Sequence, residues 1–356
     1  MRVGILSYPM LFQRDGGLQI QVRQTIAALN RLQPDARGPL EVALLDPNRD
    51  RLVDYDVIHV FSAINGNYRI VESACDLGLP VVLSPLLSPG WNRASGLRAR
   101  VVDRLAGRLT AWDVQTSYAQ TKRALQLAAL VVALGQAERE AIVSGFRVAP
   151  DKIRVYPNGI TPHFFTANGD LFRRETGIVG DFVLMVGAIS PYKNQLGLAR
   201  ALAEVDLPVV VIGRPQRQDM DYLQTLLALP KVTWLGQLEH ADPLLASAYH
   251  AAAVVALPSQ GEVFPLTVLE ALAAGTPVMM TSESALHLEH AEFALKKARW
   301  DDPAAQRRAV CALIAARPDA RAVRALVTHL TWDRVAAQIA ACYFDLAPAR
   351  QARRAG

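Results

Sequence analysis

Short apolar runs of strand length alternate with helix-length segments along most of the chain. In the first half, the predicted strands are Arg2–Ser7, Glu41–Leu45, Val57–Phe61, Pro80–Ser84, Leu130–Ala133 and Ile153–Tyr156. Several are apolar throughout, which is typical of parallel strands that are covered on both faces. The helices predicted between them are Leu18–Arg31, Tyr68–Leu77, Ser95–Leu125 and Gln136–Val143. This alternation predicts an α/β unit with a parallel sheet.

The second half repeats the alternation. Its predicted strands are Phe182–Val186, Val209–Ile212, Val232–Trp234, Ala253–Leu257 and Pro277–Thr281. Its predicted helices are Gln195–Glu204, Met220–Leu229, Pro243–His250 and Pro265–Ala273. The chain therefore predicts two doubly wound, Rossmann-like parallel sheets. Ligands in such sheets bind beyond the carboxyl ends of the strands, so two such domains facing each other predict an interdomain cleft.

The length of 356 residues exceeds one average core and suits two α/β domains. The boundary is predicted within Thr161–Gly180, which is polar and is broken by Pro162, Gly169 and Gly177. We expect a first domain over residues 1–165 and a second over residues 175–330. Residues 331–356 follow as a separate C-terminal segment with a loose tail.

The composition favours a globular cytoplasmic protein. Hydrophobic residues make up 51% of the chain and charged residues 20%. Cys75, Cys311 and Cys342 are few, odd in number and scattered, which indicates reduced thiols. The first residues have the character of a strand and not of a signal peptide, and no apolar run reaches the roughly 18 residues of a membrane span. We expect no nucleic-acid partner.

Positive charge concentrates in the segment Trp91–Arg123. It contains seven bases and two acids, Asp103 and Asp113, so its net charge of +5 equals that of the whole chain. The bases are Arg93, Arg98, Arg100, Arg104, Arg108, Lys122 and Arg123. Such a segment attracts anionic lipid headgroups or phosphates, which suggests a peripheral location on the inner face of the cell membrane. A solvated helix face is an equally good interpretation.

The stretch Ala253–Thr281 has the order strand, loop, helix, turn, strand. Pro265 suits a first helical turn, and the N–H groups of Leu266 and Thr267 then lack helical partners and attract phosphate. Glu262 precedes this helix, and Glu270 lies about 7–8 Å along its axis. A ligand with its diphosphate at the helix start would meet a carboxylate on each side. Two glutamates alone are more simply explained as a solvated and an ordinary helical residue.

The run GEVFPLTVLEA from Gly261 to Ala271, followed by Gly275-Thr276-Pro277-Val278, resembles the Glu-x7-Glu signature of family 4 retaining glycosyltransferases, which have the GT-B fold. The resemblance implies that Glu262 is catalytic and contacts the donor sugar, whereas Glu270 contacts the nucleotide ribose. It also implies donor-binding roles for Phe264, Leu266 and Thr267. Ser259 fits the same pattern.

Other segments resemble the family in the same order. They are Asp56–Val60 (its third-strand pattern), Val155–Ile160 (its Pro-Asn-Gly segment), Thr331–Asp333 (the start of helices that cross back to the first domain), Gly187–Asn194 (its phosphate-binding loop) and Gly16-Gly17 (a glycine-rich loop). The resemblance implies that Lys193 binds the donor phosphates. Gly16 and Gly17 are implied to reach the donor from the opposite domain, since glycine permits close backbone approach to phosphate.

Two positions depart from the family pattern. Ala188 occupies the place after the loop glycine where the family commonly has an arginine, and the segment Val81–Ser88 lacks the histidine that many members carry. A missing cation weakens stabilisation of a leaving diphosphate. Arg214 is a candidate substitute, although an exposed surface arginine is an equally good interpretation.

The resemblance implies a hexosyltransferase-type enzyme, in the EC 2.4 class. The expected reaction is retaining transfer from a nucleoside diphosphate sugar to a glycan or lipid-linked acceptor, in cell-envelope polysaccharide biosynthesis. The resemblance also implies a metal-independent enzyme without a cofactor, because GT-B enzymes do not need a bound metal at the reaction centre. The alternatives are a non-catalytic nucleotide-sugar-binding or assembly subunit, which the two departures favour, and a GT-B sugar-nucleotide epimerase.

Overall fold

A computed structural model describes residues 1–13, 16–34, 37–109, 115–205 and 207–347. It divides the chain into two compact units. The first consists of Met1–Gly159 and the segment that begins at Trp332, and the second consists of Ile160–Thr331. Asp113 of the predicted basic segment and the tail Pro348–Gly356 lie outside the described residues.

The first unit contains a parallel sheet of six strands in the order β2-β1-β3-β4-β5-β6. The strands are β1 (Arg2–Leu6), β2 (Glu41–Leu44), β3 (Val57–Phe61), β4 (Val81–Ser84), β5 (Leu130–Ala133) and β6 (Ile153–Val155). The helices are α1 (Gly17–Arg31), α2 (Tyr68–Asp76), α3 (Arg93–Leu109), α4 (Ser117–Leu127), α5 (Gln136–Phe146) and, from the end of the chain, α14 (Trp332–Leu346). All residues of β3, β4 and β5 are buried, as their apolar sequences predict.

The second unit contains another parallel sheet of six strands, in the order β12-β11-β10-β7-β8-β9. The strands are β7 (Val183–Val186), β8 (Val209–Ile212), β9 (Val232–Trp234), β10 (Val254–Leu257), β11 (Val278–Thr281) and β12 (Leu295–Ala298). The helices are α6 (His163–Thr166), α7 (Asp170–Thr176), α8 (Gln195–Leu202), α9 (Met220–Leu227), α10 (Pro243–Ala251), α11 (Leu266–Ala274), α12 (Pro303–Ala316) and α13 (Ala320–Ala325). The prediction of two parallel sheets in an α/β fold is confirmed.

The division between the units differs from the predicted boundaries at residues 165 and 175. Residues 160–175 belong to the second unit because the short helices α6 and α7 pack into it. Phe172 is fully buried and stacks on Phe182, and its backbone N–H donates to Ser247 Oγ at 2.8 Å. The division falls after Gly159, where Ile160 pairs with Thr331 in an isolated parallel bridge. The polar segment in which the boundary was predicted is therefore a folded part of the second unit.

The predicted helix Ser95–Leu125 is two helices, α3 and α4, and residues 110–114 lie outside the described part. Thr116 caps α4, since its side chain accepts the N–H of Ala119 at 3.1 Å. Among the described residues, none of the helices combines the length and apolar character that a membrane crossing requires.

The C-terminal helix α14 packs in the first unit. Tyr343 on this helix is fully buried, and its hydroxyl lies 2.6 Å from Nδ1 of His59 on β3. Nε2 of the same imidazole lies 2.9 Å from Oγ of Ser84. Burial lowers the pKa of His59 to about 3, so the ring is neutral at physiological pH. His59 is therefore a hydrogen-bonded core residue.

Candidate active site

The loop after β7, residues 187–194, lies at the carboxyl end of the second sheet. Gly187 and Gly213, which follow the neighbouring strands β7 and β8, have φ values of 144° and 146°. A Cβ on Gly213 would collide with the carbonyl oxygen of Gly187, so this position requires glycine. The loop ends at Asn194, whose side-chain amide donates to the carbonyl of Trp300 at 2.9 Å. These contacts fix the backbone that carries Lys193.

Lys193 forms an ion pair with Glu262, with Nζ and Oε1 2.6 Å apart. The backbones beside the pair are joined as well. Tyr192 donates its hydroxyl to the carbonyl of Gly261 at 2.7 Å, and the N–H of Gln260 donates to the carbonyl of Tyr192 at 2.9 Å. Two predicted site residues that are 69 positions apart in the chain are thus in direct contact.

The loop that carries Glu262 is held on its other side by the segment after β11. The N–H of Glu262 donates to the carbonyl of Glu283 at 2.8 Å, and the N–H of Ala285 donates to the carbonyl of Val263 at 3.1 Å. Only 13% of the Glu262 side chain is exposed, against 25% for Lys193. The carboxylate therefore has a fixed place at the edge of the sheet, where solvent still reaches the pair.

Helix α11 begins at Leu266, and Pro265 is its N-cap with φ −71° and ψ 123°. Pro265 therefore lies just before the first turn, and the helix begins one residue later than the predicted start at Pro265. Among the described residues, no side chain caps this end of the helix, so its first N–H groups are available to an anion. Phe264 and Leu266 are buried, and Thr267 is half-buried. Phe264 and Leu266 therefore serve the packing of the unit whether or not they touch a ligand.

Glu270 lies on α11 and is almost fully buried. Its Oε1 is 2.9 Å from Nε2 of His240, and its Oε2 accepts the hydroxyl of Tyr249 at 2.9 Å. An ionised carboxylate only accepts hydrogen bonds, so the first contact requires the proton on His240 Nε2. Burial, then the charge and hydrogen bond of Glu270, raises the pKa of Tyr249 well above its usual range. The hydroxyl of Tyr249 therefore stays protonated at neutral pH and donates to this carboxylate.

Sequence patterns gave no sign of either partner of Glu270. The two partners lie 30 and 21 positions away in the chain, and no motif connects them to α11. The ring of His240 makes edge contacts with the rings of His163 and Phe164. Burial, then the neighbouring His240, lowers the pKa of His163.

Four buried side-chain polar atoms in the second unit have no hydrogen-bond partner within the described residues. They are Oγ1 of Thr161, Nε2 of His163, Oγ of Ser259 and Oε1 of Gln306. Ser259 is in the loop that leads to Glu262, and His163 contacts the partner of Glu270. Because an unsatisfied buried polar group is unfavourable, each marks a place where a ligand or water can add a hydrogen bond.

Arg214 and Ala188 lie at the same end of the second sheet. The carbonyl of Arg214 accepts the N–H of Ile189 at 3.1 Å, and its side chain is exposed. Ala188 is exposed, and its carbonyl accepts Nε2 of Gln195 at 2.8 Å. The backbone at position 188 is therefore fixed, and its side chain points to open space.

Gly16 and Gly17 belong to the first unit, at the start of α1. Gly16 is the N-cap and has extended backbone with φ 172°. A Cβ on either glycine would meet nothing within 4 Å among the described residues, which exclude the adjacent Arg14 and Asp15. The donor-binding role of these glycines stays a prediction.

Residues 172–289 match the family model described as glycosyl transferases group 1. This range contains Lys193, Glu262 and Glu270. The second unit carries a glycosyl transferase group 1 domain.

Curated glycosyltransferases are similar in sequence to part of this chain. A D-inositol 3-phosphate glycosyltransferase of Stackebrandtia nassauensis is 34% identical over 168 residues, which cover 42% of this chain and 38% of that protein. The chain thus spans less than half the length of the curated relatives that it matches.

Solved structures resemble the whole chain. Sucrose-phosphate synthase from Thermosynechococcus elongatus has a TM-score of 0.71 and 20% identity, covering 100% of both chains. HepE from Anabaena, solved with UDP and glucose, has a TM-score of 0.64 and 19% identity, covering 96% of this chain and 99% of that one. At these identities the likeness concerns the fold, and it confirms the predicted GT-B fold class.

The described residues contain no group of three or more His, Cys, Asp or Glu side chains arranged to hold a metal ion. The group 1 domain instead offers one lysine, two carboxylates and a free helix start at the edge of a sheet. The expectation of a metal-independent site without a cofactor stays a prediction.

Proposed function

We propose that this protein is a glycosyltransferase that moves a sugar from a nucleoside diphosphate sugar to an acceptor hydroxyl. One observation carries the proposal. The Lys193–Glu262 pair lies where the loop after β7 meets the loop before α11, and Glu270 lies on α11 itself. A cation, a helix start and two carboxylates suit the diphosphate and hydroxyl groups of such a donor.

The phosphates fit the cationic part of this arrangement. Lys193 supplies a positive charge, and the first N–H groups of α11 supply donors and the positive end of the helix dipole. Both stabilise the negative charge that develops on a leaving diphosphate. Glu262 orients Lys193 in the free protein, and in the complex it accepts hydrogen bonds from the hydroxyls of the donor sugar.

The ribose fits Glu270. Its two oxygens are held by His240 and Tyr249, so the carboxylate is fixed before a nucleotide arrives. Each carboxylate oxygen has a second acceptor position that a ribose hydroxyl can use. Because HepE from Anabaena was solved with UDP and glucose, a uridine diphosphate hexose is the first donor to test.

The finer assignments follow the resemblance to family 4. They are retention of configuration at the anomeric carbon, a hexosyl donor, and a glycan or lipid-linked acceptor in cell-envelope polysaccharide assembly. The basic segment Trp91–Arg123 supports an acceptor held at an anionic membrane surface.

The proposal is tested by screening nucleotide sugars for binding and then measuring transfer with the donor that binds. Glu262→Gln is expected to abolish most transfer with little change in nucleotide affinity. Glu270→Gln is expected to weaken the nucleotide. Glu289→Gln, an exposed carboxylate in the same unit, serves as the control. Full transfer and full affinity in both site variants would refute the assignment.

A second candidate, a non-catalytic nucleotide-sugar-binding subunit, is favoured by the exposed Ala188 where the family has an arginine. It predicts donor binding without transfer to any of a broad set of acceptors. An epimerase predicts a new sugar nucleotide in the absence of an acceptor. The same assays separate both from a transferase.

A further inference from the structure

Helix α3 presents large aliphatic side chains to solvent. Leu97, Val101, Val102 and Leu105 are each more than half exposed, although aliphatic residues usually face the core. Leu97, Val101 and Leu105 recur every four residues, so they form one stripe along the helix. We call this stripe, together with Val102, the aliphatic face.

Small residues face the protein instead. Gly96 packs against α5 so closely that a Cβ on it would collide with the carbonyl group of Gly145. Gly107 is buried, and Arg100 donates to the hydroxyl of Tyr118 at 3.2 Å. Asp103 accepts the hydroxyl of Thr116 at 2.7 Å. The helix is therefore fixed in an orientation that keeps the aliphatic face outside.

Arginines accompany the aliphatic face. Arg93, Arg98, Arg104 and Arg108 are all exposed. Asp103 is the only acid in the helix sequence, and it is half-buried and bonded to Thr116. Long arginine side chains extend their charge away from an apolar surface toward water and phosphate. The exposed side of α3 thus combines apolar area with positive charge, and the arginines there have no exposed acid beside them within the helix.

We propose that α3 is a membrane-surface anchor that lies in the plane of an anionic bilayer, with its aliphatic face among the acyl chains and its arginines at the headgroup phosphates. This deepens the membrane part of the proposed function and is independent of the sugar transfer. Surface-bound helices combine apolar residues that enter the acyl region with basic residues that reach the headgroups, and the exposed side of α3 offers both. A second copy fits poorly, because two such faces would bring arginines against arginines.

The proposal predicts two separable components of binding. Charge attraction requires anionic lipid and weakens with salt, since the Debye length falls from about 10 Å at 0.1 M to about 3 Å at 1 M. Insertion of the aliphatic face depends on apolar area and resists salt. A basic surface without insertion would lose all binding at high salt.

Flotation of the full chain with lipid vesicles tests this without any donor or acceptor. We expect binding to vesicles of phosphatidylcholine with phosphatidylglycerol, and at least about tenfold weaker binding to phosphatidylcholine alone. Leu97→Gln/Val101→Gln/Leu105→Gln keeps good helix formers and is expected to weaken binding to the anionic vesicles at least about tenfold. Arg98→Gln/Arg104→Gln/Arg108→Gln is expected to weaken it by a similar factor and to remove its salt dependence.

The controls are substitutions of exposed residues elsewhere, Leu77→Gln/Val179→Gln for apolar area and Arg49→Gln/Arg174→Gln for charge. Both are expected to bind vesicles like the original protein. Leu97→Ala/Leu105→Ala, which favours helix more strongly, provides a second reduction of the aliphatic face if the glutamine variant unfolds. Nucleotide affinity, a property of the second unit, is expected to be unchanged in all variants.

Three results would overturn the proposal. One is unchanged vesicle binding in both aliphatic-face variants, and another is equal binding to neutral and anionic vesicles. The third is a dimer in sedimentation without lipid that becomes a monomer in Leu97→Gln/Val101→Gln/Leu105→Gln. That result would assign the aliphatic face to a second copy of the chain. Loss of nucleotide binding or transfer with intact vesicle binding would instead count against the proposed function alone.

Discussion

The two units bury carboxylates in different ways. Glu138 in the first unit is fully buried and accepts the backbone N–H groups of Leu87 and Leu134, each at 2.7 Å. Glu270 in the second is nearly as buried, but its partners are the side chains of His240 and Tyr249. Backbone donors fix the chain path, whereas side-chain donors fix the carboxylate itself. Burial alone therefore does not distinguish the two carboxylates, whereas the identity of their hydrogen-bond partners does.

Glu138 has a structural role by this criterion. It joins the loop after β4, where Leu86 has a φ of 57°, to the start of α5. Burial raises the pKa of Glu138 to about 7, against the lowering effect of its backbone N–H donors. Glu262 resembles Glu270 more than Glu138, because its partner is the side chain of Lys193. We therefore expect substitutions at the Lys193–Glu262 pair and at the partners of Glu270 to lower activity, and a substitution of Glu138 to lower stability.

The largest effect is expected from Lys193→Met. It removes the partner of Glu262 and the charge proposed to face the leaving diphosphate, so transfer should fall by about 10²–10³-fold, or roughly 3–4 kcal/mol. The free energy of unfolding should change by less than about 1 kcal/mol, since the pair is partly exposed. Initial rates and hydrogen exchange of the second unit measure the two quantities.

Lys296→Met, on β12 of the same unit, is the matched control and should leave both quantities unchanged. If Lys193→Met instead lowers stability by several kcal/mol and leaves transfer intact, the Lys193–Glu262 pair is structural, and the comparison with Glu138 fails.

Glu138→Gln is expected to act in the opposite way. The glutamine NH₂ group would face one of the backbone N–H groups of Leu87 or Leu134, leaving it unsatisfied and destabilising the first unit by about 1–3 kcal/mol. Nucleotide affinity should not change. Hydrogen exchange of the first unit is the appropriate measurement, because a chain of two units need not unfold in one step.

The pH dependence gives a sharper test. The raised pKa of Glu138, about 7 against 4.5, contributes stability that is present below pH 4.5 and is lost as pH rises through about 7. His59 works in the other direction, because its lowered pKa contributes stability that is present above pH 6.5 and is lost as pH falls through about 3. The two slopes offset each other between pH 4.5 and 6.5. Glu138→Gln should expose the His59 slope, and a variant whose stability is flat over this range would refute the assignment.

The regular parts of both units were predictable from sequence. Apolar runs such as Val209–Ile212 and Val57–Phe61 are strands with the predicted bounds. β12 was missed because Leu295–Ala298 contains two adjacent lysines and is not an apolar run. The polar segment around α6 and α7 was predicted to contain the domain boundary because its short helices have too few residues to show a period.

The site was predictable only where a motif is local. Glu262 and Glu270 share one short segment, and the structure adds that Pro265 is the N-cap between them. His240 and Tyr249 reach Glu270 through the packing of α10 and α11, which no pattern in the sequence encodes. Lys193 and Glu262 were each predicted, but their contact depends on how two loops after different strands meet.

A smaller effect is expected from His240→Ala. Glu270 would keep Tyr249 and lose one of its two side-chain partners, so we expect nucleotide affinity to fall by about tenfold, the worth of one hydrogen bond to a charged group. His240→Gln retains an N–H donor and should restore most of the affinity. His290→Gln, an exposed histidine in the same unit, is the control. Equal affinity in the alanine variant and the original protein would place Glu270 with the structural carboxylates.

The smallest effect is expected from Ala188→Arg, which introduces the cation that the family commonly has after the loop glycine. The side chain at position 188 is exposed and the backbone there is held by Gln195, so the substitution should be accommodated. Because the position is open to solvent, the added charge is screened, and we expect a gain in transfer of a few-fold, below about 1 kcal/mol. Ala188→Gln adds length without charge and should give no gain. If only the arginine variant gains transfer activity, an added positive charge at the carboxyl edge of the second sheet promotes the reaction, as expected for a phosphate-binding site. No such effect is expected around the structural Glu138 of the first unit. Equal rates in all three proteins would show that the existing cations already suffice, with Lys193 foremost among them.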